Sequence, residues 1–152
     1  MLSFTHSSII NAPVEKVWEF HERQDILQLL TPPWQPVQII RREGGLEPGA
    51  VSEFRLWLGI IPLTWIARHT ECETYKIFVD TQEEGPLKFW THRHIFTHRD
   101  NKTLLTDDIN YELPCGEWSE PLLEWWVNSR LRDMFLYRHE VTQKICTNIP
   151  IY

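Results

Sequence analysis

Cysteine is scarce in this chain. There are three in 152 residues, Cys72, Cys115 and Cys146, at long and irregular spacings. An odd number without a paired pattern gives no disulfide framework and fits a reducing compartment. Cys115 sits beside Pro114 and Gly116, and nothing near it would depress a thiol pKa towards nucleophilic use. No apolar run reaches the ~18 residues of a membrane span. The opening MLSFTHSSIINAPVEK lacks a basic region followed by an apolar one, so no signal peptide is expected. The expected location is the cytoplasm, with no integral membrane association. Basic residues are also few. Lys and Arg number 15 against 21 Asp and Glu, for a net charge of −6. Phosphate binding needs a basic stripe, which argues against nucleic acid as the main partner. Only six glycines are present. Glu43-Gly44-Gly45-Leu46 reads as a hairpin rather than a phosphate loop, because neither a Lys-Ser/Thr pair nor a helix start follows it. Internal repeats, low-complexity segments and linkers are absent, so 1–147 reads as one domain and 148–152 as a short tail.

What is abundant is aromatic. Eight Trp and seven Phe stand out against an ordinary 42% hydrophobic and 24% charged content. Leu2 to Ile10 reads as a strand. A helix follows the Asn11-Ala12-Pro13 junction, capped by Asn11 or Ala12, with Val14, Val17, Trp18 and His21 on one face. A second short helix over Gln24 to Leu30 must end before Pro32-Pro33. Six strands are then expected: 37–42, 50–58, 63–74, a pair within Phe78 to Phe96, and 103–113. Short turns between sequential strands argue for an antiparallel meander. The last element is a long helix from an N-cap at Ser119 to about Cys146, roughly 40 Å long. Its apolar stripe runs through Leu123, Val127, Leu131, Met134, Val141 and Ile145, widened by Trp125, Trp126, Phe135, Leu136 and Tyr137. The expected class is therefore α+β, with an antiparallel sheet of six to seven strands packed against a long C-terminal helix and two short helices after strand 1. Bulky side chains that hold the helix off the sheet would leave a cavity.

The chemistry concentrates in FVDTQEEGPLKFWTHRHIF, Phe78 to Phe96, two strands joined at Gly85-Pro86. Alternation puts Phe78, Asp80 and Gln82 on one face of the first strand, and Trp90, His92, His94 and Phe96 on one face of the second. Aromatic walls carrying a few placed polar groups are what a ligand cavity needs. Asp107 interrupts an apolar face between Leu105 and Ile109, so a buried carboxylate needs His92, His94 or Arg68 as partner.

These residues carry a resemblance. The order of elements is similar to the helix-grip fold of the SRPBCC superfamily, which holds START lipid-transfer domains, plant pollen-allergen proteins and polyketide cyclases. Ile10-Asn11-Ala12-Pro13-Val14-Glu15-Lys16-Val17-Trp18 matches its first strand-to-helix junction. Phe78-Val79-Asp80-Thr81-Gln82, Trp90-Thr91-His92-Arg93-His94-Ile95-Phe96, Tyr111-Glu112-Leu113-Pro114 and Phe135-Leu136-Tyr137-Arg138-His139 resemble a subgroup of small ligand-binding members, also found fused to sugar-epimerase-like domains. The resemblance implies a curved sheet wrapped on the C-terminal helix and a cavity for a hydrophobic, lipid- or polyketide-like molecule. It implies no particular reaction.

Phe78, Asp80, Gln82, Trp90, His92, His94, Phe96, Asp107, Tyr111 and Met134 are the expected ligand contacts. Each has a plainer reading. His92 and His94, at i and i+2 on one strand face, have metal-ligand spacing with Asp80 or Asp107, but no third ligand is fixed by spacing. The alternative is hydrogen bonding to those carboxylates, and neither metal nor cofactor is expected. A His–Asp pair in an apolar pocket is an acid–base couple for cyclisation or dehydration, or a structural network. Tyr111 and Trp90 belong to the cavity wall or to the core. Trp125 and Trp126 belong to the cavity lid or to a dimer contact, so the chain is a monomer or a homodimer. Non-enzymatic binding of a small hydrophobic molecule is the leading expectation, ahead of a cyclase or dehydratase and of a ligand-free interaction protein.

Overall fold

The computed structural model describes residues 1–114 and 116–147. Cys115 and the tail 148–152 lie outside the described residues. The elements in order are β1 (Leu2–Ile10), α1 (Val14–Glu22), α2 (Ile26–Leu29), β2 (Val37–Glu43), β3 (Val51–Leu58), β4 (Ile61–Glu73), β5 (Ile77–Glu84), β6 (Phe89–Arg99), β7 (Lys102–Glu112) and α3 (Glu120–Cys146). The seven strands form one sheet in the order β1-β7-β6-β5-β4-β3-β2, and every pairing is antiparallel. Strands β2 to β7 are the expected meander. The non-sequential pairing joins the two ends of the fold, from Leu2 opposite Tyr111 to Ile10 opposite Thr103.

Local chemistry sets several boundaries differently from the sequence reading. Pro13, not Asn11 or Ala12, holds the cap position of α1, with φ −60° and ψ 152°. Its carbonyl accepts the amides of Lys16 and Val17 at 3.0 and 3.2 Å. Strand β4 begins at Ile61, because Leu58 pairs with Ile61 and leaves a two-residue turn. Gly59 takes φ 63° there, the left-handed conformation such a turn demands of its first central residue. Ser119 makes no side-chain cap, since its hydroxyl donates to the Gly116 carbonyl at 3.1 Å. Bulges between Ile39 and Arg41, and on β4 between Ile66 and Ala67 and between His69 and Glu71, bend their strands.

The face that α3 buries is Leu131, Phe135, His139, Thr142 and Cys146. It shares Leu131 with the expected stripe and Phe135 with its widening, while Val127, Met134, Val141 and Ile145 are partly buried flanks. Trp125 is 69% exposed and Leu136 52% exposed, so neither widens the stripe towards the sheet. The core lies in two parts. One gathers Ile10, Val17, Trp18, Phe78, Phe96 and Leu105 around the short helices. The other gathers Trp90, Ile109, Tyr111, Leu131 and Phe135 between sheet and α3. Along β7 the boundary falls at Asp107, between Leu105 and Ile109. Along α3 it falls at His139, between Phe135 and Cys146.

Ile109 is fully buried. Ile109→Ala should cost about 2–5 kcal/mol, lowering the Tm by roughly 6–15 °C for a domain of this size. Ile9→Ala, at a half-exposed position, should stay within about 1 kcal/mol. Equal shifts for the two variants in thermal unfolding would show that the buried face is misassigned.

Candidate ligand-binding site

Asp107 is 4% exposed, and a carboxylate in that position must be compensated by donors. Three histidines supply them. His92 Nε2 donates to Oδ1 at 2.7 Å. His139 Nε2 donates to Oδ2 at 2.6 Å. His94 Nδ1 lies 3.2 Å from Oδ1. The other nitrogen of His94 reaches a second carboxylate, with Nε2 donating to Asp80 Oδ2 at 2.8 Å. Nδ1 of His92 faces the same Asp80 oxygen at 3.9 Å, beyond hydrogen-bond range. Ser8 shares a hydrogen bond with Nδ1 of His139. The sheet register explains the grouping. His94 stands opposite Asp107 on β7 and opposite Phe78 on β5, while His92 stands opposite Asp80. The His92 and His94 rings lie tilted by 32° with centroids 3.6 Å apart, and Phe78 stacks on His94 at 4.0 Å. His69 stacks in turn on Phe78 at 5.6 Å.

Environment divides the protonation states. Burial works against ionisation of Asp107, but hydrogen bonds from His139, His92 and His94 win and hold it well below the usual carboxylate range. Asp80 is also held low, burial being outweighed by the His94 hydrogen bond and the neighbouring imidazoles. Burial and the charge of His94 push His92 down, so it stays neutral with its proton on Nε2. In His94 burial is the largest effect and opposes the charge, yet the contacts with Asp107 and Asp80 prevail and raise it. Protonation is thus favoured at His94 and disfavoured at His92, beside two carboxylates that are held ionised. Among the described residues, no buried side-chain nitrogen or oxygen lacks a hydrogen-bond partner.

A cavity of about 320 Å³ opens between the sheet and α3. Of the expected contacts, Phe78, Asp80, Trp90, His92, His94 and Met134 line it. The other four are outside its lining. Gln82 ties the hairpin turn, donating to the Leu87 carbonyl at 2.7 Å and accepting its amide at 3.3 Å. Phe96 packs edge-on against Trp18 at 5.0 Å. Tyr111 is fully buried and donates to Asn128 Oδ1 at 2.8 Å. Asp107 lies behind the two histidines. Arg68 is not its partner, since it pairs with Glu83 at the sheet surface. Sequence reasoning named His139 only within a resembling motif and missed it as a site residue, although it is the polar residue one turn beyond Phe135 on the buried face of α3. It also missed cavity-lining His21, His69, Arg42 and Arg138. Arg138 donates to the Leu30 carbonyl at 3.3 Å, and its guanidinium lies over Phe135 at 5.2 Å.

Comparison with known proteins now identifies the class. Residues 10–139 match the family described as polyketide cyclase / dehydrase and lipid transport. The chain belongs to that family, and with its helix-grip fold to the SRPBCC superfamily. No functionally curated protein matches it. Among solved structures it is similar to a nucleoside-diphosphate sugar epimerase from Corynebacterium glutamicum, at 31% identity and TM-score 0.73. That match covers 93% of this chain and 28% of the other, so the chain spans little more than a quarter of that relative. The Zhui aromatase/cyclase from Streptomyces sp. R1128 is 16% identical with TM-score 0.67, covering 99% of both chains. Norcoclaurine synthase from Thalictrum flavum is 10% identical with TM-score 0.72, covering 99% of this chain and 89% of the other. The last two likenesses are of fold alone.

Acid should weaken this arrangement. Burial is the largest influence on His21 and lowers it from 6.5 to about 4, against a raising hydrogen bond to the Val17 carbonyl. The unfolded chain therefore takes up a proton that the folded chain refuses, and stability falls as pH drops from 6.5 towards 4. The loss attributable to His21 is at most about 3 kcal/mol. His6, His69 and His92 are lowered too and act in the same sense. Urea unfolding across that range should show a shallower decline for His21→Gln than for wild type. Parallel declines would remove His21 from the account.

Proposed function

We propose that the protein binds one small, mainly apolar organic molecule in the cavity between the sheet and α3. The observation that carries this is the cavity itself. Its volume of about 320 Å³ falls at the lower end of the size range of small-molecule sites. Phe78, Trp90 and Met134, with Phe54, Trp65 and Phe135, form apolar wall. Polar groups on that wall include His92, His94, Asp80, Arg138, His69 and Arg42. On this reading affinity comes from burial of apolar surface, and the polar groups fix orientation. Gln82, Phe96, Tyr111 and Asp107 support the wall from behind without touching the ligand. A protein of the same fold is known in complex with dopamine and hydroxybenzaldehyde, which makes aromatic molecules suitable first probes.

One observation favours a second reading, a cyclase or dehydratase. His92 donates Nε2–H to Asp107 and is kept neutral, which leaves Nδ1 as an unprotonated base beside the cavity. A neutral imidazole steered by a buried carboxylate is the arrangement of a general base. On this reading His92→Gln abolishes turnover while ligand affinity stays within a few fold.

Binding is tested with 1-anilinonaphthalene-8-sulfonate and by native mass spectrometry of freshly purified protein. A saturable, one-to-one complex is expected, weakened at least tenfold in Met134→Trp, whose indole fills the cavity. Far-UV circular dichroism should match wild type. Unchanged affinity in a folded Met134→Trp would place the probe elsewhere and sink the reading.

A further inference from the structure

We propose that Asp80, His92 and His94 form a binding site for one divalent transition-metal ion on the cavity wall. Donor atoms of these three residues lie within 4.8 Å of one another. His94 Nε2 is 2.8 Å and His92 Nδ1 3.9 Å from the same Asp80 oxygen. Donors about 2.0–2.2 Å from a shared ion stand roughly 3–3.5 Å apart, so the observed distances bracket what is needed. All three residues line the cavity. The proposal goes beyond ligand binding and does not depend on it.

Spacing in the sequence supplies two histidines but no third ligand. The register supplies it, by setting Asp80 directly opposite His92. A second observation concerns the far side of each ring. His92 Nε2 lies 2.7 Å and His94 Nδ1 3.2 Å from one oxygen of Asp107. Ligating histidines commonly give their other nitrogen to a carboxylate, which fixes ring orientation and aims the free nitrogen at the metal. Here one carboxylate serves both rings, and His139 fixes its other oxygen at 2.6 Å.

Charge closes the argument. An ion that displaces the proton between His94 and Asp80 into solvent leaves two neutral imidazoles and two carboxylates. Asp80 and Asp107 then balance a charge of +2. Two imidazole nitrogens with one carboxylate suit zinc or iron(II) rather than calcium or magnesium, which prefer all-oxygen sites. Three protein ligands leave coordination positions open towards the cavity, where an oxygen-bearing molecule could complete the sphere.

Cobalt(II) and zinc(II) alone are the probes, added to chelator-treated full-length protein. One equivalent should bind, with visible d–d absorption for cobalt. Asp80→Asn and His94→Gln should each weaken binding at least tenfold, and Asp107→Asn roughly 10- to 100-fold. Cys72→Ser and His98→Gln should match wild type. In wild-type protein zinc should shift the ring NMR signals of His92 and His94 and leave His98 in place, a readout that needs no variant to fold. Binding well below one equivalent overturns the proposal. So does wild-type affinity in folded Asp80→Asn, or a zinc response confined to His98. Probe binding in the cavity with no metal bound would overturn this site and leave the ligand-binding reading standing.

Discussion

A carboxylate buried between two halves of a core is the constraint around which this structure is arranged. Asp107 cannot hold its charge there without donors, and a single strand offers too few. The fold brings them from two directions. His92 and His94 come from β6, in register across the sheet, and His139 comes down from α3. Removing such a carboxylate would leave three imidazoles without their shared partner, and breaking a buried charge network costs far more than an exposed pair is worth. The contact also ties the helix to the sheet at the point where the two apolar clusters part.

That tie helps to account for the cavity. Leu131 and Phe135 dock one part of α3 against Trp90, Ile109 and Tyr111, while Cys146 packs with the cluster around Trp18. Between and beside them the helix meets polar groups already engaged with each other. These cannot collapse into an apolar core without losing hydrogen bonds. The space under Met134 and Arg138 is thus bounded by groups that satisfy one another and still present ring edges to a guest. The same network accounts for the divided protonation states of His92 and His94, which sit two residues apart on one strand. One faces a single carboxylate at hydrogen-bond distance, the other sits between two.

Much of the fold was legible because its signals are local. Gly and Pro punctuation delimits the strands, and the long helix follows from its apolar residues at helical spacing from Leu123 to Ile145. Asp107 was legible as a polar residue on an otherwise apolar face, and the His92–His94 pair by its period of two. What was not legible needed the third dimension. The α3 stripe reads too wide from sequence, because partly buried Val127, Met134, Val141 and Ile145 look as apolar as Leu131 and Phe135, which the helix does bury. A stripe drawn that wide does not single out polar His139 as buried. Gln82 shares a face with Phe78 and Asp80, but at the end of β5 its amide answers the unpaired backbone of the turn instead. Phe96 and Tyr111 alternate correctly, yet they lie further along their strands, where short-helix packing and α3 fill the space. Arg68 was a reasonable partner for Asp107 by charge, but it pairs with Glu83 across the outer surface.

The most direct test of Asp107 as organiser is 15N NMR of the imidazole rings in metal-free protein, at pH 6.5, with and without Asp107→Asn. The account predicts that wild-type His94 is more than half charged at that pH, above the ordinary midpoint of 6.5, while His92 is mostly neutral with its proton on Nε2. His139 should carry a proton on Nε2, and all three rings should change in Asp107→Asn. A mostly neutral His94, or three rings indifferent to Asp107→Asn, would contradict it.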